Sequence, residues 1–172
     1  SFSDDPDVGG EEDPTLITVT TIAGYDSLIS ADPNEMTADG ETTSIIELYL
    51  RDGFANGVSG QTVTFTTSKG DLLDDVEDVG DGFYRQKIQS ETSIGIAVIG
   101  VNVNGNTLMD GADPIETTVD FIAGGPDKDK STIEVDPTSI AANGVAQANV
   151  TVFLRDTNDQ PAEGDVSIDS TS

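Results

Sequence analysis

The sequence predicts an all-β chain built from two-sheet β-sandwich repeats in tandem. Three observations predict it. Apolar residues alternate with polar ones in short runs. No window keeps a helical period, and turn signals separate the runs. One set of seam, turn and core residues occurs twice, a domain's length apart.

Taken in order, residues 1–14, SFSDDPDVGGEEDP, are dense in Asp, Glu, Gly and Pro and read as a flexible acidic linker or tether. Residues 15–25 contain LITVTTI, rich in β-branched residues and followed by Gly24. They read as a terminal strand, or the remnant of a preceding repeat. TSIIELYLR, residues 43–51, alternates strictly: Ile46, Leu48 and Leu50 point one way, and Glu47, Tyr49 and Arg51 the other. QTVTFTT, residues 61–67, places Val63 and Phe65 on one face. DLLDDVEDVGDG, residues 71–82, reads as an acidic loop, and GFYRQKIQ follows it as a strand. In IGIAVIGVNVNGN, Ala97, Ile99, Val101 and Val103 share a face, and Asn104-Gly105 is a strong hairpin-turn signal. IETTVDFIAG closes the set with Val119 and Phe121 inward. Short strands at this spacing over about 100 residues read as an immunoglobulin-like sandwich, large enough to bury its own core.

The repeat fixes the units. At an offset of 104, Ser27-Leu28-Ile29 matches Ser131-Thr132-Ile133, and Asp32-Pro33 matches Asp136-Pro137. Ala38-Asp39-Gly40 matches Ala142-Asn143-Gly144, and Leu50-Arg51-Asp52 matches Leu154-Arg155-Asp156. Ile46, Leu48 and Leu50 fall on Val150, Val152 and Leu154, and Gly60 falls on Gly164. Upstream the offset is 100: Val19 matches Val119, and Ile22-Ala23-Gly24 matches Ile122-Ala123-Gly124. The difference of four is an insertion in the seam, where GGPDKDKS stands in place of GYDS. Residues 26–124 therefore read as one complete repeat, and 125–172 as the first half of the next.

These residues also carry a family resemblance. STIEVDPTSIAANGVAQANVTVFLRDTNDQPAEG and SLISADPNEMTADGETTSIIELYLRDGFANGVSGQTVTFTTSKG both resemble the opening of bacterial immunoglobulin-like repeats of the invasin and intimin type. DGFYRQKIQSETSIGIAVIGVNVNG resembles their second half, and TTVDFIAGGPD their exit strand. The resemblance covers nearly everything after residue 15. It implies an exported bacterial surface protein with stacked stalk domains. In that family host-receptor binding usually belongs to a distinct terminal domain, and no segment here matches one.

Composition narrows the chemistry. There are 33 acidic residues against 7 basic ones, a formal net charge of −26. Such a surface repels nucleic acid and anionic headgroups, so neither is expected as a direct partner. There is no histidine and no cysteine. The usual general base, thiol nucleophile, disulfide and soft metal ligands are all missing. For nucleophilic catalysis only a carboxylate pair or a lysine would remain, and nothing places either in a pocket. No run approaches the roughly 18 apolar residues of a membrane span.

Calcium is the one cofactor the residues suggest, at two places. Asp74, Asp75, Glu77, Asp78 and Asp81 crowd the acidic stretch, but without the spacing of a calcium loop. Asp26, Asp127 and Asp129 lie at the seams, where a cation could bridge two units. Lys128 and Lys130 can neutralise the second seam themselves. Asp52 and Asp156 end strands near turns, and the plainer reading of all these groups is solvated surface and turn chemistry. Arg51 and Arg155, on outer strand faces, read as partners for nearby carboxylates. Tyr25, Tyr49, Tyr84, Phe54 and Phe83 read as packing or hinge residues rather than a stacking row.

The functional expectation is a non-catalytic spacer module of a bacterial cell-surface or secreted adhesin-like protein, whose partners are neighbouring repeats of the same chain. One alternative is a fibre or oligomer subunit, in which another copy completes the half domain by swapping or strand addition. A second is an accessory module of a secreted hydrolase.

Overall fold

The computed structural model describes residues 26–169; the expected linker 1–14 and the strand expected within 15–25 lie outside them. Eleven strands belong to the first repeat: β1 Leu28–Asp32, β2 Glu35–Thr37, β3 Thr43–Tyr49, β4 Val63–Thr67, β5 Asp71–Gly80, β6 Phe83–Gln89, β7 Gly95–Val103, β8 Asn106–Thr107, β9 Met109–Asp110, β10 Asp113–Pro114 and β11 Glu116–Ile122. Two more, β12 Thr132–Asp136 and β13 Asn149–Phe153, belong to the second. No helix occurs among the described residues.

The first repeat is two sheets face to face, in orders β1-β3-β6-β5 and β2-β11-β7-β4. Period-two alternation decides which side chains meet between them. Ile46, Leu48, Leu50, Tyr84 and Ile88 face inward from one sheet. Val63, Phe65, Ala97, Ile99, Val101, Val103, Val119 and Phe121 face inward from the other. All are buried in a single cluster with Met36, Ala38 and Leu108. Tyr84 adds a polar group to that core and satisfies it: its hydroxyl donates to Val58 O at 2.9 Å and accepts from Gln61 N at 3.0 Å. The Asn104-Gly105 turn joins β7 to β8, with φ of 52° and 80°. Positive φ at both residues matches the right-handed twist of the flanking strands.

The acidic stretch is a strand, not a loop. Residues 71–80 form β5, the edge of the first sheet, paired antiparallel to β6. Leu72 and Val76 pack against the core, while Asp71, Asp74, Asp75, Glu77 and Asp78 are exposed. The strand is also irregular: Leu73 pairs Lys87 and Glu77 pairs Arg85, so β5 takes four steps where β6 takes two. A charged, bulged strand is how a sheet edge avoids pairing with other chains. The same charges hide it from a hydrophobic pattern.

The second repeat copies the opening of the first in detail. The five β12–β13 pairs, from Thr132↔Phe153 to Asp136↔Asn149, repeat the β1–β3 pairs from Leu28↔Tyr49 to Asp32↔Ile45 at the same offset. Ser131 Oγ accepts from Arg155 N at 3.0 Å, as Ser27 Oγ accepts from Arg51 N at 3.0 Å. Isolated bridges join Arg51 to Gly57 and Arg155 to Pro161.

The Asp39 turn is also repeated, with an instructive change. Asp39 Oδ1 accepts from Glu41 N at 2.8 Å and Thr42 N at 2.7 Å; Asn143 Oδ1 accepts from Val145 N at 3.0 Å and Ala146 N at 2.9 Å. Asparagine therefore suffices for the turn. In the first repeat the carboxylate also takes the Thr42 hydroxyl, on Oδ2 at 2.6 Å, and the Ser90 hydroxyl, on Oδ1 at 3.1 Å, whereas Ala146 stands in the place of Thr42 in the second. The Thr42 hydroxyl and amide, followed by Glu41 N and Ser90, hold the Asp39 carboxyl far below the usual carboxylate range against a smaller opposing effect of burial. A carboxyl depressed by folding stabilises fully above its unfolded pKa of about 3.9, and that stability is lost as the pH falls toward the folded value. Asp39→Asn is therefore expected to lower the urea midpoint at neutral pH, and the gap to wild type should close as the pH drops below about 4. A gap of constant size across that range would contradict this assignment.

Candidate functional site at the join between the repeats

The parallel pairing of β2 with β11 creates the site. Its register, Glu35↔Asp120 to Thr37↔Ile122, brings the C-terminal ends of both strands to the same end of the sandwich. Ala38 N donates to Ile122 O at 2.8 Å and fixes them side by side. Just beyond the two strands, Ala38 offers a carbonyl and Gly124 an amide. We call this the exit end. β3 begins next to it and runs to the opposite end of the sandwich, where residues 52–57 turn back.

The second repeat meets the exit end with the turn after β13. Asp156 is only 1% exposed. Its Oδ1 accepts from Asn158 N at 2.9 Å and Gln160 N at 2.8 Å, which builds the turn. Its Oδ2 accepts from Gly124 N at 3.0 Å, across the join. Asn158 Nδ2 donates to Ala38 O at 3.1 Å in the opposite sense. One acceptor and one donor on the turn thus meet one donor and one acceptor on the exit end, and the four groups match in only one orientation. Burial pushes the Asp156 carboxyl up, but the amides of Gln160, Gly124 and Asn158 outweigh it and hold the group below its ordinary value.

The seam between them is folded onto the second repeat. Asp127 N donates to Arg155 O at 2.7 Å, and Ser131 N donates to Asp127 O at 2.9 Å. Gly164 lets Pro126 lie close: a Cβ there would stand 2.8 Å from Pro126 Cγ. The equivalent turn of the first repeat is built alike, but among the described residues its carboxylate bonds only within the turn. Asp52 Oδ1 accepts from Phe54 N at 2.8 Å and Asn56 N at 2.9 Å, and its Oδ2 takes Asn56 Nδ2 at 3.1 Å instead of a neighbouring repeat.

The residues considered for calcium are placed as follows. Asp74, Asp75, Glu77 and Asp78 lie on β5, and Asp81 in the β5–β6 turn. Asp78 accepts from Gly60 N at 2.6 Å and Gly80 N at 3.0 Å, while Asp74 has Lys87 at 4.0 Å. Asp127 Oδ1 caps Asp129 N at 2.8 Å and Lys130 N at 3.2 Å, and Asp129 pairs with Lys128 at 2.6 Å. Asp26 is exposed at the start of the described residues. Among the described residues no three acidic groups come together in a way that could hold a metal ion. Repetition of Asp52 marks Asp156 in the sequence; its partners Gly124, Ala38 and Asn158 carry no comparable mark beyond the change from Phe54 to Asn158 at equivalent positions.

On the outer face of the first sheet, Tyr49 stacks on Phe83 with ring centroids 4.3 Å apart, and the Arg51 guanidinium lies 4.1 Å from the Tyr49 ring. Arg51 thus packs on an aromatic face rather than on a carboxylate, whereas Arg155 does approach Asp159, at 3.9 Å.

A sequence profile of the family described as "Invasin, domain 3" matches residues 24–124 and again 127–172. The chain belongs to the invasin domain 3 family. The inverse autotransporter adhesin YeeJ of Escherichia coli K12 is 27% identical to it over 156 residues, which is 89% of this chain and 6% of the relative. Among solved structures, invasin, described as a bacterial integrin-binding protein, matches 84% of this chain and 29% of its own with a TM-score of 0.72 at 30% identity. Yersinia pseudotuberculosis InvD matches 80% of this chain and 39% of its own, with a TM-score of 0.64 at 30% identity. The immunoglobulin-like β-sandwich and the invasin and intimin resemblance expected from the sequence are borne out. The chain spans 6%, 29% and 39% of the lengths of these three relatives, and the family profile matches it twice in succession.

Proposed function

We propose that this chain is a non-catalytic spacer segment of a bacterial cell-surface or secreted adhesin, in which stacked invasin-type repeats hold a binding region away from the cell. The observation that carries the reading is the reciprocal pair Asp156–Gly124 and Asn158–Ala38. A buried charge-assisted bond and a second bond of opposite sense make a join that resists both bending and twisting. The units we assign are 26–124, a complete sandwich, and 125–172, the first half of another.

Small-angle X-ray scattering of the intact chain tests this. The expected result is one elongated particle of fixed shape. A broad distribution of shapes, as from two units tumbling independently on a flexible seam, would overturn it.

The second unit also bears on partners. Its Val150, Val152 and Leu154 repeat the fully buried Ile46, Leu48 and Leu50, yet Val150 and the neighbouring Ile133 and Val135 are exposed. In the first repeat the opposing sheet, β2-β11-β7-β4, covers that face. We assign the same role here to equivalent strands, supplied by a neighbouring segment of the same protein.

Every contact named across the join is a direct one between protein groups, so we expect the join to form without calcium. Millimolar calcium is expected to leave the melting midpoint and the scattering curve unchanged. A saturable rise in the midpoint would return the ion to Asp26, Asp127 and Asp129, or to Asp74, Asp75, Glu77, Asp78 and Asp81.

A further inference from the structure

The turn that docks the second repeat has a twin that nothing among the described residues covers. Residues 52–57 of the first repeat share its build: the Asp52 carboxylate bonds Phe54 N and Asn56 N as Asp156 bonds Asn158 N and Gln160 N. Both turns also carry a positive φ at the same place, 64° at Ala55 and 65° at Asp159. The twin lies at the end of the sandwich opposite the exit end. Where the docking turn has Asn158, it has Phe54. That side chain is 89% exposed, more than any other large apolar residue of the first repeat. A phenyl ring held in water by a well-bonded turn is an anomaly in a repeat whose other described aromatic residues, Tyr49, Phe65, Phe83, Tyr84 and Phe121, are at least half covered.

We propose that the 52–57 turn is itself a docking surface, and that its occupant is the exit end of a further repeat of the same family. This rests on the spacer reading above. Two observations name the occupant. The register of the repeat places Phe54 where Asn158 crosses the observed join to Ala38. The sequence ahead of the described residues, ITVTTIAG at 17–24, repeats the exit strand TTVDFIAG at 117–124, with identical Ile-Ala-Gly endings. The seam that follows is four residues shorter than the second one, GYDS against GGPDKDKS, so a preceding exit end would be held close to this turn. The two joins would differ in chemistry. Asn158 donates a hydrogen bond to a backbone carbonyl, whereas Phe54 contributes buried apolar area.

The chain has no tryptophan, so Phe54→Trp gives a unique reporter at a site whose exposure makes the change harmless to the fold. It is to be compared in the full chain and in the full chain from Tyr25 onward preceded by a second copy of residues 26–124, which keeps the native Gly-Tyr-Asp-Ser seam. The expected result is a blue shift of emission and several-fold weaker acrylamide quenching in the longer protein. A second readout is Phe54→Ser, expected to lower the melting midpoint of the longer protein while leaving that of the single chain unchanged. Equal quenching in both proteins, or no effect of Phe54→Ser in either, would overturn the assignment. Scattering of the longer protein separates this from the spacer reading. If the units stay in a fixed line while Phe54→Trp remains exposed, only the role of this turn fails; if they move freely, the spacer reading fails as well.

Discussion

Phe121→Ala is expected to unfold most of the first repeat at temperatures where the wild type is stable. Phe121 lies on β11 and is almost wholly buried between the two sheets. Its ring also abuts the turn at Gly70, where a Cβ would stand 2.9 Å from Phe121 Cζ. Gly70 has a φ of 74°, so the ring closes over a backbone conformation suited to glycine. Truncating a buried phenylalanine costs about 3–5 kcal/mol, from lost transfer energy and the cavity left behind. Set against a total stability of about 5–15 kcal/mol, this is a large share. For a unit of this size it corresponds to a fall in melting midpoint of at least about 12 °C. Because β11 also carries Gly124 to the exit end, the same variant should release the second repeat. Calorimetry checks the first effect, and a midpoint within a few degrees of wild type would contradict the packing described.

Asp156→Ala is the second large expectation, and it acts on the join. The substitution removes the acceptor of three backbone amides, two in the turn and one across the repeats. Hydrogen bonds to a charged acceptor contribute about 1.5–3 kcal/mol each, less whatever the freed donors recover from water. A net loss of about 2–4 kcal/mol is expected, concentrated on a second repeat with little core of its own. Asp52→Ala is the control. It dismantles the equivalent turn and leaves the join in place, so it should soften residues 52–57 without changing the shape of the particle. If the two variants give the same scattering curve, the carboxylate of Asp156 has no special part in holding the repeats.

Much of the sandwich is legible in the sequence because it is written in a local code. Ile46, Leu48 and Leu50, and Ala97 through Val103, alternate without interruption, and a period of two has one structural meaning. Asn104-Gly105 names its own turn. β5 was not legible, because an edge strand shows its acidic side chains outward and its bulge disturbs the pattern at the point where Leu72 and Val76 face the core. β2 escaped notice for a different reason: Glu35–Thr37 is three residues long, and its parallel partner β11 is more than eighty positions away. The join depends on that same pairing. Asn158 and Ala38 are 120 residues apart, and nothing local to either announces the other. What the sequence does carry is the repetition of Asp52 in Asp156, which marks the turn, and the change of Phe54 to Asn158, which marks how two copies of one turn come to face different neighbours.

Repetition also gives this chain internal controls. Asp39 and Asn143 make the same turn with and without a charge. Asp52 and Asp156 make the same turn without and with a neighbouring repeat. Each pair separates what the turn requires from what is added to it: the backbone bonds are common to both copies, and of the bonds Asp156 accepts only the one from Gly124 N crosses between the repeats.

The most direct test is the exchange rate of the Gly124 amide, followed by nuclear magnetic resonance in the wild type and in Asp156→Ala. A fixed join predicts an amide that exchanges slowly in the wild type and at nearly the rate of an open chain in the variant, while the amides of β11 up to Ile122 stay protected in both. A Gly124 amide that already exchanges freely in the wild type would contradict the claim that the repeats are held end to end by this bond.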